Sequence, residues 1–101
     1  MIKMTFIQVI EYKTDRIAEL DAAMDEWLAT SAGHRTAVRG TQCRDRDHPD
    51  TCVSIVEFPS YEEAMANSDR PETSAFAEKM ISLCDGPPTF RNLEVIRDDM
   101  M

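Results

Sequence analysis

Residues 4 to 12, MTFIQVIEY, place Phe6, Ile10 and Tyr12 on one side of an extended chain and Ile7 and Val9 on the other. That predicts a strand with apolar residues on both faces. The period then changes. Ile17, Leu20, Met24, Trp27 and Leu28 recur at steps of three and four, an apolar stripe on a helix. Thr14 or Asp15 is its expected N-cap, and it should run to about Ala32. Glu19, Asp21, Asp25 and Glu26 fill its polar side, and Gly33 supplies the left-handed residue that ends it. Residues 37–46 and 51–58 read as two strands joined by the polar turn DHPD. Gly40 inside the first implies a bulge or a close backbone approach. Pairing Asp45 with Asp50 across this hairpin would set Cys43 opposite Cys52.

The stretch FPSYEEAMANSDRPETSAFAEKM, residues 58–80, has helical spacing on both sides of an interruption. Ser60 and Glu63 form a capping box that starts a helix, with Ala64 and Met65 on its apolar side. Asn67, Ser68, Asp69 and Pro71 then break it. Ser68 or Asp69 is the expected cap of a second helical piece, with Pro71 in its first turn. Phe76, Met80 and Leu83 continue the stripe until Gly86 and Pro87-Pro88 stop it. Residues 89–97, TFRNLEVIR, form a last strand, and the tail 98–101 is expected to fray. The order β-α-β-β-α-β predicts an α+β, ferredoxin-like domain over residues 1–101: a four-stranded antiparallel sheet with helices on one face. The other face keeps its own apolar residues, so a second sheet is expected to cover it, giving a homodimer joined face to face.

Composition narrows the function. Of 101 residues, 43% are hydrophobic and 30% charged, ordinary for a globular chain, and the net charge is -8. That charge repels phosphate backbones and anionic membranes, so neither nucleic acid nor membrane is an expected partner. No apolar run approaches the roughly 20 residues that span a bilayer. The start of the chain has no small-residue cleavage site, which points to the cytoplasm. Cys43, Cys52 and Cys84 are too few and too scattered for a disulfide framework, and are expected as thiols. His34 and His48 fall in loops without converging ligands, so no metal site is expected.

The broken second helix carries a resemblance. With this strand order, EFPSYEEAMANSDRPETSAF is similar to the corresponding stretch of the dimeric α+β barrel superfamily, in particular of its antibiotic biosynthesis monooxygenase domains. There an aromatic-acidic helix start, an N-S-D-like corner and a second helical piece follow the third strand. The resemblance covers about residues 4 to 97. It implies a pocket between the second helix and the sheet. It also implies two lines of chemistry, haem degradation and cofactor-free oxygenation of aromatic substrates. Haem-degrading relatives carry an Asn in the first strand, and a Trp and a His in the second helical region. Those positions are here Gln8, Met65 and Ala75 or Phe76, and residues 49–101 contain no histidine. The missing axial ligand argues against haem.

The aromatic oxygenases leave a closer, partial match: Asn67 falls on the corner Asn, while the Trp position is Met65. The resemblance therefore implies Gln8 and Asn67 as catalytic polar groups, orienting a small aromatic or quinol-like substrate. Trp27, Met65, Phe76 and Met80 are its expected walls, and no cofactor is implied. Each residue has a plainer role beside this one. Trp27 and the methionines suit a core, Gln8 can bond a neighbouring side chain, and Asn67 can cap a helix. Arg39, Arg44 and Arg91 either bind an anionic group or pair with surface carboxylates. A non-catalytic ligand-binding or structural dimer is the competing reading.

Overall fold

The computed structural model describes residues 3–101. The elements follow as β1 (Phe6–Lys13), α1 (Ile17–Thr30), β2 (Arg39–Arg44), β3 (Thr51–Phe58), α2 (Tyr61–Ser68), α3 (Pro71–Ser82) and β4 (Thr89–Glu94). The sheet order is β2-β3-β1-β4, antiparallel throughout. This is the ferredoxin-like arrangement that the element order predicts. No helix among the described residues is long and apolar enough to cross a membrane.

The alternation along β1 decides what each face carries. Phe6, Gln8, Ile10 and Tyr12 face the helices, and Phe6, Ile10 and Tyr12 are buried. Cys52 and Phe58 of β3 join them on that side. Two apolar clusters result. Ile10, Tyr12, Leu20, Cys52, Met80 and Leu83 pack at one end, and Phe6, Phe58 and Ala64 at the other. The opposite face carries Ile7, Val9, Val53, Ile55 and Leu93, of which Leu93 is plainly exposed. Burial beside the first cluster pushes the Cys84 thiol pKa up.

Several expected details differ. The hairpin register is one residue off the Asp45–Asp50 pairing. Cys43 lies opposite Val53, and Arg44 opposite Cys52. A one-residue slip sends side chains to the other face, so Cys43 is exposed while Cys52 is buried, and all three cysteines are free. Gly40 sits in unbroken pairing with Val56, and nothing approaches the place its Cβ would take. It is neither a bulge nor a close approach. The last strand stops at Glu94 rather than residue 97, although Val95 N–H still donates to the Thr5 carbonyl at 2.9 Å.

The helix starts also differ. Neither Thr14 nor Asp15 is the N-cap of α1; Arg16 holds that position without a side-chain cap. Thr14 instead ties two ends of the chain together. Its Oγ1 donates to the Leu83 carbonyl at 2.7 Å and accepts from Arg16 N–H at 3.0 Å, in a buried position. Beside it, Asp85 N–H donates to the Lys13 carbonyl at 2.7 Å. In α2, Ser60 caps as expected, accepting from Glu63 N–H at 3.1 Å. Thr14→Val removes a hydroxyl but keeps the shape, leaving a buried carbonyl and an N–H without their partner. We expect this to cost about 1–2 kcal/mol, seen in a thermal melt as a Tm lower by roughly 5–15 °C. An unchanged Tm would remove this tie from the account of the fold.

Candidate functional site

A cavity of about 470 Å³ lies between the helices and the inner sheet face, with mostly apolar walls. That is within the roughly 300–1,000 Å³ range of small-molecule sites. Its floor is the inward row of the sheet: Gln8, Ile10, Tyr12, Gln42, Ser54 and Val56. Its walls are Trp27 and Leu28 of α1 and Phe76 and Met80 of α3, with Asn67 at the end of α2. Met24, Leu28 and Val38 are exposed large hydrophobic residues that also line it, and they mark its mouth.

Pro71 sets the corner that delivers Asn67. The residue before a proline is pushed out of helical geometry, and Arg70 is extended at φ -77, ψ 140. α2 must therefore stop, with Asp69 as its C-cap, and α3 restarts with Pro71 in its first turn. Arg70, not Ser68 or Asp69, occupies the N-cap of α3, and no side chain caps it. The Ser68 hydroxyl turns back to the Ala64 carbonyl at 3.1 Å. Asn67 does not cap either. One turn beyond the buried Ala64, its side chain lies on the buried side of α2, 6% exposed. Its Oδ1 is fully enclosed and makes no hydrogen bond among the described residues. A buried acceptor left unpaired costs about 1–3 kcal/mol, and the residue that carries it also borders the cavity.

Trp27 is half-buried on the wall and tightly held. Its Nε1 donates to Thr73 Oγ1 at 3.0 Å, its ring lies 6.0 Å from that of Phe76, and the Arg35 guanidinium stands 5.7 Å over its centre. Arg35 is fixed in turn by donating to the Leu28 carbonyl at 3.0 Å and to Ser31 Oγ at 3.1 Å. The adjacent His34, in the loop after α1, has Nδ1 3.1 Å from Glu72 Oε1. The Arg70 guanidinium, hydrogen-bonded to Glu72 at 2.8 Å, holds that carboxyl below the usual carboxylate range, and His34 adds to the effect. The loop after α1 is thus pinned to the start of α3 beside the aromatic wall.

Five of the six residues singled out in the sequence line this cavity: Gln8, Asn67, Trp27, Phe76 and Met80. Gln8 also bonds a neighbour, its Nε2 donating to Asn92 Oδ1 at 3.3 Å. Met65 is the exception. It lies on a different side of α2 from Asn67 and packs against Phe6, Phe58 and Ala64, away from the cavity. Arg44 and Arg91 are exposed and line nothing here, while Arg39 reaches the rim and stands 3.7 Å from Glu57. Sequence reasoning missed Tyr12, Ser54, Gln42 and Arg35 as wall residues. Tyr12 already shared the parity of Phe6 and Ile10. Gln42 and Ser54 become its neighbours only through the true hairpin register.

The free Oδ1 has a measurable consequence. Asn67→Leu keeps the volume and removes the unpaired acceptor. The ligand-free protein is expected to gain stability, with Tm higher by roughly 4–10 °C. A lower Tm would show that Asn67 is a structural residue.

No protein-family model matches the chain, and no curated protein matches its sequence. Solved structures do match in shape. SnoaB of Streptomyces nogalater, a cofactor-independent oxygenase, superposes with a TM-score of 0.77 at 16% identity, over 95% of this chain and 97% of that one. A protein of Nitrosomonas europaea, provisionally assigned as an antibiotic biosynthesis monooxygenase, gives 0.74 at 10% identity, over 92% and 91%. A protein of Caulobacter crescentus with the same provisional assignment gives 0.73 at 12%, over 93% and 92%. At these identities the likeness is one of fold: the chain folds as the antibiotic biosynthesis monooxygenase domains do.

Proposed function

We propose that this protein binds a small aromatic molecule in the cavity and oxygenates it with molecular oxygen, without a cofactor. The observation that carries the reading is the cavity itself, about 470 Å³, with Trp27 and Phe76 on its walls and Gln8, Tyr12, Gln42, Ser54 and Asn67 as polar residues of its lining. Flat apolar walls at Trp27 and Phe76 suit stacked rings. Asn67, bordering the cavity, would turn its amide toward a polar group of the ligand and fix its orientation. Gln8 adds a second polar contact on the floor. The SnoaB fold gives support by analogy, since one fold hosts many activities.

The chemistry fits a ring ketone with an acidic methylene. Loss of a carbon-bound proton to water at the exposed mouth of the cavity leaves an electron-rich carbanion, delocalised onto the ketone oxygen. It passes an electron to oxygen, and the resulting radical pair joins as a carbon-bound peroxide. Protonation and loss of water leave a new carbonyl. One oxygen atom stays on carbon, and the other leaves as water with the two methylene hydrogens. All four electrons come from the substrate, so no reductant enters. The cavity contributes by excluding water and by holding the oxyanion.

A binding role without turnover is favoured by one feature. Among the lining residues, Asp21 is the sole carboxylate, on the exposed side of α1, and there is no histidine. A general base inside the cavity is therefore missing, and the substrate must itself be acidic. Anthrone separates the two readings. Turnover would consume one oxygen molecule per anthraquinone formed, without hydrogen peroxide, and Trp27→Ala would slow it about tenfold or more. Quenching of Trp27 fluorescence by anthrone without oxygen uptake would leave the binding reading. Neither signal would exclude both.

We also propose that the outer face of the sheet is covered by a second copy. Ile7, Val9, Val53, Ile55 and Leu93 form an apolar strip there that no element of this chain covers among the described residues. Sedimentation at micromolar concentration should give a dimer, and Ile55→Lys a monomer. A native monomer would contradict the proposal.

A further inference from the structure

At one end of the cavity floor three side chains form a hydrogen-bonded group. Gln42 and Ser54 are directly paired across β2 and β3, Ser54 is paired with Ile10 on β1, and Tyr12 lies diagonally from it. Gln42 Nε2 donates to Tyr12 Oη at 2.9 Å. Tyr12 Oη and Ser54 Oγ are 2.8 Å apart, one donating to the other. All three residues line the cavity, and Tyr12 is only 3% exposed.

A count of hydrogens gives this group a definite polarity. Tyr12 and Ser54 carry one hydroxyl hydrogen each. Their mutual bond uses one of them, whichever way it points. Gln42 supplies its own hydrogen to Tyr12, so it absorbs neither. No further hydrogen bond of either hydroxyl exists among the described residues. One O–H donor is therefore left over beside the cavity. Asn67 Oδ1 is the converse, an enclosed acceptor lacking a donor. The other floor amide, Gln8, already has its Nε2 on Asn92, and the lining guanidiniums of Arg35 and Arg39 belong to exposed residues.

We propose that Tyr12, Ser54 and Gln42 form the donor pole of the site, which binds the ligand's carbonyl oxygen and stabilises the oxyanion formed when its proton leaves. This rests on reading the cavity as a ligand site. It supplies the electrostatic assistance that a cavity without an internal base requires. Tyr12 and Ser54 are interchangeable as donors. With either hydroxyl removed, the other keeps one hydrogen free, so both must be removed to abolish the pole.

The test uses para-nitrophenol, whose phenolate is visible by absorbance, with naphthalene as a probe without oxygen. A charged acceptor gains more from a donor than a neutral one. The bound phenol should therefore titrate about one pH unit lower in the native protein than in Tyr12→Phe/Ser54→Ala, a roughly tenfold shift toward phenolate. Each single variant should lose less than half of that. Naphthalene binding, followed by equilibrium dialysis, should be unchanged. Equal phenol titration in both proteins, with naphthalene still bound, would overturn the donor pole and leave the cavity reading standing. Failure of the native protein to bind naphthalene would overturn both. Gln42→Leu, on an exposed edge strand, serves if the double variant does not fold. It should raise the phenol's pKa by a fraction of a unit, and no change would count against the proposal.

Discussion

The central position of β1 is the constraint from which the rest follows. It is paired on both edges, with β3 and with β4, and so has no freedom to slip. Its period of two then sends Phe6, Gln8, Ile10 and Tyr12 toward the helices and Ile7 and Val9 away from them. The same alternation, carried across the hydrogen-bonded register, aligns Ser54, Val56, Gln42 and Gly40 with the inner row. The floor of the cavity, the donor group at its end and the apolar strip on the far face are all consequences of that one pairing.

The second element is the proline corner. A continuous helix through residues 61–82 would have had to lie straight over the sheet. Arg70, forced out of helical geometry by Pro71, lets α2 and α3 meet at an angle, with Asn67 in the last turn before the break. The fold then leaves the Asn67 acceptor unpaired among the described residues. Proteins keep such a cost where a polar contact serves a ligand. Around it the molecule is otherwise well tied: Thr14 to Leu83, Trp27 to Thr73, and Arg35 to the end of α1. Firm walls around a few polar groups describe a preorganised binding site.

The fold was largely readable because its signals are local. Alternation in β1, the stripe of α1, the Ser60 cap and the Pro71 stop each lie within a few residues of what they govern. Gly33 and Gly86 take positive φ near the ends of α1 and α3, as residues lacking a Cβ can. What stayed hidden depends on distance. In the sequence only the pair Asp45 and Asp50 suggests a hairpin register, and a slip of one residue from it hides that Gln42 and Ser54 face Tyr12. Thr14 looked like a cap because its partner, Leu83, lies 69 residues away. Met65 was misplaced because the stretch around it fixes where the helix breaks but not how the helix is rotated. Asn67 had a cap and a wall as competing roles, and only the position of Arg70 at the start of α3 separates them.

On this reading the cavity receives an aromatic ligand whose carbonyl oxygen points to Tyr12 and Ser54. A crystal structure of the protein soaked with anthrone tests it most directly. Planar density is expected against Trp27 and Phe76, with the ketone oxygen within hydrogen-bond reach of Tyr12 or Ser54. Side chains filling the cavity at saturating anthrone would contradict it, and so would a ligand bound elsewhere.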